Sequence, residues 1–275
     1  MFKIESAGIT DVGQKRPHNE DALLLDDQLR LFVVADGMGG HQAGEVASAL
    51  VIETLQKEMR GFETKASEGP FQNDETLSPG ANRLLAAIYK ANSEVYALAQ
   101  RKTQCRGMGA TLAAVLATEE TLIAANVGDS PIFLIHAGAI ERLSVVHNVI
   151  TEQTAMDPNA GQRIAPKYQR MLTRAMGIAE TVQPDLCEIQ LFAGDSVVLG
   201  SDGLSDKMSP EEILATVERH APTSACQELV DLANRRGGED NITVIVLKFT
   251  PSAAKRRGLI GLMRRLWKPL KCIFN

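Results

Sequence analysis

Four aspartates in this chain stand in surroundings that suit cation chemistry. Asp36 opens Asp-Gly-Met-Gly-Gly-His directly after the apolar run Leu31-Phe32-Val33-Val34-Ala35. Asp129 follows Asn-Val-Gly and precedes Ser130, downstream of Leu122-Ile123-Ala124-Ala125. Asp202 lies in Ser-Asp-Gly-Leu after Val197-Val198-Leu199-Gly200, and Asp240 opens Asp-Asn-Ile-Thr just before Val244-Ile245-Val246-Leu247. Each reads as a carboxylate at the end of a buried strand, three of them next to a glycine that frees the backbone to turn. Strand ends from distant parts of a chain can converge, and carboxylates sharing one spot repel unless cations neutralise them. Oxygen-only donors favour hard cations such as Mg²⁺ or Mn²⁺. The pattern predicts a binuclear-metal hydrolase.

The elements that must position these acids are legible as period-two and period-3.6 runs. Strands are predicted at Lys3–Ile9, Asp21–Leu25, Leu31–Ala35, Thr111–Ala117, Thr121–Val127, Ile132–His136, Leu186–Leu191, Ser196–Leu199 and Ile242–Phe249. Helices are predicted at Gln42–Arg60, Gly80–Arg101, Pro210–His220 and Ser224–Arg235. Helices in two pairs, separated by strands joined through short turns, imply an α+β fold. The expected architecture is two antiparallel β-sheets packed as a sandwich with helix pairs outside, in four layers, α-β-β-α. Residues 61–80 read as a polar loop, and residues 146–176, polar with Pro158 and Pro166, as a lid or binding insertion.

Composition narrows the field. At 275 residues and 44% apolar, the chain is long enough for a large core and has no apolar run that could span a bilayer. Its N-terminus lacks the blocks of a signal peptide, which points to the cytoplasm. Cys105, Cys187, Cys226 and Cys272 have no paired metal spacing, so reduced thiols are expected and structural zinc is not. The net charge of −5 conceals an asymmetry. Residues 252–275 hold seven basic residues and no acid, so residues 1–251 carry −12. An acidic body repels nucleic acid and favours cations.

With Arg16-Pro17-His18-Asn19-Glu20-Asp21 added, the set resembles the metal-dependent serine/threonine protein phosphatases of the 2C type, in their bacterial branch. The likeness covers roughly residues 6–250: Arg-x-x-Asn-Glu-Asp, Asp-Gly-Met-Gly-Gly-His, Gly109-Ala110-Thr111, Asn-Val-Gly-Asp-Ser, Ser-Asp-Gly-Leu and Glu239-Asp240-Asn241. It implies a catalytic domain over residues 1–251, with 146–176 as its flap. It also implies that Asp36 bridges two metals, that the Gly37 carbonyl joins one, and that Asp202 and Asp240 hold the other. Glu20 and Asp21 would act through metal-bound water or from behind the ligands. Asp129 with Asp202 would hold a third, weaker metal, and Asp206 would assist. Arg16 would clamp the phosphate, a role that suits a planar guanidinium fork.

The implied reaction is hydrolysis of phosphoserine and phosphothreonine by hydroxide bridging two Mn²⁺ or Mg²⁺, opposing a serine/threonine kinase and its targets. Two nearby cations lower the pKa of a bridging water and neutralise charge in an in-line displacement. Covalent routes have little support, since no serine sits in a Gly-x-Ser-x-Gly elbow. Rival readings are a catalytically weak regulatory module of the same fold and a metal phosphodiesterase. Two departures from the family pattern stand out. Met38 occupies the position where many relatives carry a histidine, so protonation of the leaving group would fall to a metal-bound water or another group, with His41 only a weak candidate. Pro131 follows Asp-Ser where an arginine is usual, which puts local anchoring in question. His18, His136 and His147 read as ordinary polar residues. A monomer is the default.

The basic tail reads as an amphipathic helix. At 100° per residue, Leu259, Ile260, Leu262, Met263, Leu266 and Trp267 fall in an arc of about 160°. Arg257, Arg264, Arg265 and Lys268 lie opposite, and Pro269 ends the run. Such a helix suits peripheral attachment to the inner membrane face or to an acidic partner.

Overall fold

The computed structural model describes residues 2–39, 43–64, 74–251 and 271–273. Strands β1 (Phe2–Asp11), β2 (Asp21–Asp26) and β3 (Leu31–Met38) lead into helices α1 (Ala43–Thr64) and α2 (Pro79–Arg101). Five strands follow: β4 (Gly109–Ala110), β5 (Leu112–Ala117), β6 (Thr121–Val127), β7 (Ile132–His136) and β8 (Ala139–Arg142). The insertion carries three short helices, α3 (Val149–Met156), α4 (Ala160–Arg163) and α5 (Pro166–Gln169). The chain continues through β9 (Asp185–Gln190), β10 (Ser196–Gly200), α6 (Asp202–Ser205), α7 (Pro210–Arg219), α8 (Pro222–Arg235) and β11 (Ile242–Pro251). A last short strand, β12 (Lys271–Ile273), pairs antiparallel with β9.

A five-stranded sheet runs β1-β11-β10-β7-β8, and a seven-stranded sheet runs β12-β9-β6-β5-β3-β2 with β4 beside β3. Side chains alternate across each strand, so a central strand serves two cores at once. In β3, Phe32 and Val34 face the other sheet among Val115, Leu199, Ile245 and Phe249, whereas Leu31, Val33 and Ala35 pack beneath α1 and α2 with Leu55, Leu84 and Ile88. In β11, Ile245, Leu247 and Phe249 fill the inter-sheet layer while Val244 and Val246 meet Ile213 and Leu229 of α7 and α8. Burial on both faces explains why these strands read as continuous apolar runs, more usual of covered sheets than of half-solvated ones. Each buried Leu, Ile or Phe contributes about 1.5–3 kcal/mol. The three cores make the expected four-layer α-β-β-α sandwich.

Several expectations need correction. Asp36 lies inside β3, which runs to Met38 because Gly37 and Met38 pair with Ala110 and Gly109. Thr111 separates β4 from β5 instead of opening a strand. The weakly apolar β8 escaped the pattern. The flap is helical, with the N-cap Asn148 accepting from the Thr151 amide. Cys187 is disulfide-bonded, against the expectation of reduced thiols, while Cys105 and Cys226 are free. Register places Cys272 opposite Cys187 across β12 and β9, a proximity that spacing along the chain does not reveal. His41 and the predicted tail helix lie outside the described residues.

Candidate metal centre

Antiparallel pairing brings the acids to the same end of both sheets. Asp21 sits directly opposite Asp36 in the β2–β3 ladder, buried at 9% exposure. Thr243 Oγ1, from β11 in the facing sheet, donates to Asp21 Oδ2 at 2.6 Å. Asp202 opens α6, with Ser201 alone between it and β10, and Asn241 alone separates Asp240 from β11. Gly203 is required here, because a Cβ would lie 2.0 Å from the Asn241 carbonyl oxygen. Only glycine therefore lets the turn bearing Asp202 rest on the backbone beside Asp240. Gly37 is held just as closely, its would-be Cβ 2.2 Å from the Gly44 carbonyl of α1 and 2.5 Å from that of Glu20.

Asn241 brackets the N-terminal loop onto this end. Its Nδ2 donates to the carbonyls of Val12 and His18, each at 2.9 Å, and its Oδ1 accepts from the Glu20 amide at 2.8 Å. The loop thereby presents Glu20 and Arg16, whose Nη2 donates to Asp240 Oδ2 at 2.7 Å. Thr111 does the same for the Asp129 turn. Its Oγ1 accepts from the Asp36 amide at 3.0 Å and shares a 2.7 Å bond with Ser130 Oγ. The Gly-Ala-Thr segment is therefore a tie between Asp36 and Asp129, which its break between β4 and β5 permits.

Together Arg16, Glu20, Asp36, Gly37, Met38, Thr111, Asp129, Asp202, Asp240 and Asn241 line a cleft of about 250 Å³, with Arg170 and Leu172 of the flap at its rim. A second hollow of about 400 Å³ adjoins it, lined by Arg16, Pro17, His18, Glu20, Gly39 and Asn241. All the predicted site residues except Asp21 and Asp206 line the cleft itself. Asp21 is hydrogen-bonded behind Asp36, and Asp206 is ion-paired with Arg170 across the flap rim.

The carboxyls oppose one another's ionisation. Burial, then Asp21, Asp202, Asp240 and Asp129, holds the Asp36 carboxyl well above the usual range. Burial followed by Asp129 and Asp240 raises Asp202 to about 7. Burial raises Asp21 to about 6, although Thr243 and Ser201 donate to it. Asp129 is raised by burial too, with Arg142 and Arg170 countering in part.

Pro131 does not leave the Asp129 turn unanchored, as the departure from the family pattern suggested. Arg142 of β8 donates from Nη2 to the Asp129 carbonyl at 2.7 Å, and its guanidinium lies 5.8 Å from the Phe133 ring centre. Of the histidines, His136 bonds Asp195 through Nδ1 at 2.7 Å, away from the cleft. His147 is not an ordinary polar residue but is buried at 1% beside Gly128, and sequence spacing carried no sign of it.

An oxygen-only acidic cleft at one end of a four-layer sandwich is a site for metal-dependent hydrolysis. The family model "Protein phosphatase 2C" matches residues 13–236. A protein named as protein phosphatase 2C-type from Streptococcus pyogenes is 35% identical over 243 residues, covering 86% of this chain and 94% of that one. The serine/threonine protein phosphatase PstP of Mycobacterium tuberculosis is 34% identical over 245 residues, 87% of this chain and 44% of that longer protein. The PstP catalytic domain solved with two manganese ions superposes with a TM-score of 0.76 at 32% identity, covering 91% of this chain and 100% of that one. The chain belongs to the protein phosphatase 2C family.

Proposed function

We propose that this enzyme, a metal-dependent serine/threonine protein phosphatase, works with Asp36, the Gly37 carbonyl, Asp202 and Asp240 as the holders of two Mn²⁺ or Mg²⁺ ions. Asp129 with Asp202 holds a third, Asp206 assists, and Glu20 and Asp21 act from behind the ligands or through water. The observation that carries this reading is the convergence of Asp36 and Asp129 with Asp202 and Asp240, carried by strands of both sheets, on one cleft. Their donor set is oxygen-only, which suits hard divalent cations. Among the described residues no three His, Cys, Asp or Glu side chains already close on one metal-sized point. The acids line the cleft, and arginines are paired with Asp240 and Asp206.

Bound metal supplies Lewis acidity and a hydroxide nucleophile at neutral pH. The chain's own residues do the rest. Arg16 stands at the rim, and its pairing with Asp240 is solvent-exposed, which contributes at most about 1 kcal/mol. The guanidinium can therefore turn to an incoming phosphate at little cost. Thr111 and Asn241 keep the acidic loops in register, and Met38 offers no proton to the leaving group. With Mn²⁺, a phosphothreonine peptide is expected to turn over far faster than a phosphotyrosine peptide or a phosphate bis-ester. Preference for the bis-ester would replace this reading with a phosphodiesterase.

Arg16→Ala is expected to raise KM about tenfold or more with a smaller fall in kcat, since the fork grips phosphate in ground and transition states alike. Arg16→Lys is expected to recover only part of this. An unchanged KM for a phosphopeptide would assign Arg16 to holding Asp240 alone.

The flap is proposed to select among protein substrates. Its ends meet where the Val149 amide donates to the Met171 carbonyl at 3.0 Å, so residues 150–170 can be replaced by a short linker. That variant is expected to lose about tenfold in kcat/KM on phosphoproteins, or about 1.4 kcal/mol, and little on aryl phosphates. Equal losses on both would mark the flap as packing.

The physiological partners are proposed to be a serine/threonine kinase and its phosphorylated targets. No helix among the described residues is long and apolar enough to cross a membrane. The basic run from Lys255 to Lys271 is proposed to attach the enzyme peripherally at the inner membrane face. Because β12 completes an edge of the seven-stranded sheet, the test alters charge and leaves the chain intact. Arg264→Glu with Arg265→Glu is expected to weaken binding to anionic vesicles at least about tenfold, at about 1 kcal/mol per basic residue near the surface. Wild-type protein that ignores such vesicles at low salt would overturn the attachment.

A further inference from the structure

The turn that carries Asp129 is held from behind by a histidine that no sequence pattern singled out. His147 is 1% exposed and Asp185 3% exposed. The Gly128 amide donates to His147 Nδ1 at 3.0 Å, and His147 Nε2 lies 2.5 Å from Asp185 Oδ2. A backbone N–H can only donate, so Nδ1 must present its lone pair, and the proton sits on Nε2 facing the carboxylate. The ring is thus neutral and locked in one tautomer.

The main chain of the same residue faces both ways. Its amide donates to the Gly128 carbonyl at 3.0 Å, and its carbonyl accepts from the Thr173 amide at 3.0 Å. Gly128 is therefore gripped at both its N–H and its C=O by one residue, while Thr173 ties that residue to the returning segment of the flap. The grip is itself supported. Asn126 Oδ1 accepts from the Val145 amide at 3.0 Å and its Nδ2 donates to the Val145 carbonyl at 2.6 Å, zipping residues 145–147 onto β6. Asp185 stands opposite Asn126 in the β6–β9 ladder, so the carboxylate that orients the ring is fixed by the sheet. Thr173 Oγ1 also donates to Glu152 Oε1 of α3 at 2.6 Å.

We infer that His147 is a positioning residue, which fixes the Gly128–Asp129 turn toward the acidic cleft and joins that turn to the base of the flap. The role rests on the reading of Asp129 as a metal holder, and it makes the weakest metal position and the flap mechanically one unit. Asp185 is the second member of the device. It does not line the cleft; its Oδ2, which the Arg174 guanidinium also approaches at 3.5 Å, holds the imidazole so that Nδ1 meets Gly128.

Two substitutions separate the ring's two bonds. Asparagine at 147 places an acceptor near Nδ1 and abandons Asp185, whereas glutamine reaches toward Asp185 and leaves the buried Gly128 amide unpaired. In metal-free protein, His147→Gln is expected to speed hydrogen exchange of the Gly128 amide, followed by NMR, at least about tenfold, as losing the partner of a buried N–H implies. His147→Asn is expected to stay within about threefold of wild type, because that partner is kept. Calorimetric titration with Mn²⁺ is expected to show the weakest binding step weakened in His147→Gln as in Asp129→Asn, and retained in His147→Asn. Native exchange and native Mn²⁺ binding in folded His147→Gln would overturn the inference. Should His147→Gln fail to fold, loss of Gly128 protection in His147→Asn would overturn it instead. A titration unaffected by Asp129→Asn would remove the metal role of Asp129, and the exchange result would still decide the role of His147.

Discussion

Asp36→Asn and Asp240→Asn are each expected to lower kcat/KM on a phosphothreonine peptide by at least about 10²-fold, the usual effect of removing one charge-stabilising group from a catalytic site. Asp36 projects from β3 between Asp21 on the adjacent strand and Asp202 and Asp240 from the facing sheet, and all of these raise its pKa. Once ionised, acids held so close repel one another unless cations offset the repulsion. Chelation is therefore expected to abolish turnover, and Mn²⁺ or Mg²⁺ to restore it. Asparagine keeps the shape and one oxygen but removes the charge, so loss of activity in a folded variant isolates the charge. Glu53→Gln, exposed on α1, is the control and is expected to change kcat/KM by less than about twofold, as surface substitutions usually do. Full activity in Asp36→Asn, or turnover in the presence of excess chelator, would defeat the two-metal assignment.

How much of this was legible beforehand follows from what each feature depends on. The central strands were readable because both faces are buried: β3 and β11 are nearly unbroken apolar runs whose length and flanking turns exclude long helices. α7 was readable from Ser209-Pro210, which forms a capping box with Glu212. β8 was not, because Ala139-Ile140-Glu141-Arg142 is largely exposed and stands at a sheet edge, where burial imposes no alternation. The acids were legible as carboxylates next to glycine, and Gly203 shows why: the turn bearing Asp202 needs to touch the backbone at Asn241. The residues that hold those acids were not legible in the same way. Thr111 was visible only as part of the Gly-Ala-Thr motif, and Arg142 and His147 act through hydrogen bonds to backbone groups far away in sequence, which leave no mark on residue type or spacing. His147 was misread for that reason. A histidine between Val146 and Asn148 looks ordinary until the β6–β9 register places Asp185 beside it.

The metal-free protein is expected to lose stability as pH rises from about 5 to 8, and divalent metal to remove that loss. Asp21 is raised to about 6 and Asp202 to about 7, in each case first by burial, and Asp36 is raised as well. In the unfolded chain the same carboxyls ionise near 3.9. A carboxyl with a raised folded pKa takes up protons more readily in the folded state. Its contribution is complete below the unfolded value and disappears as pH passes the folded one. Each unit of displacement corresponds to about 1.4 kcal/mol, so the cluster is worth on the order of several kcal/mol across this window. Ordinary acid denaturation has the opposite sign, with paired carboxylates losing stability as pH falls. Thermal unfolding of chelator-treated protein at pH 5, 6, 7 and 8 should therefore show a midpoint that falls with pH. In excess Mn²⁺ the charged forms are the ones bound, so the midpoint should instead hold or rise up to pH 8 and lie well above the metal-free value there. Asp202→Asn, which cannot ionise, should flatten the metal-free slope and abolish much of the gain from Mn²⁺. A metal-free midpoint that rises steadily from pH 5 to 8 would mean that these acids are already neutralised within the chain, by Arg16 and Arg170, and that the cleft does not depend on cations for its stability.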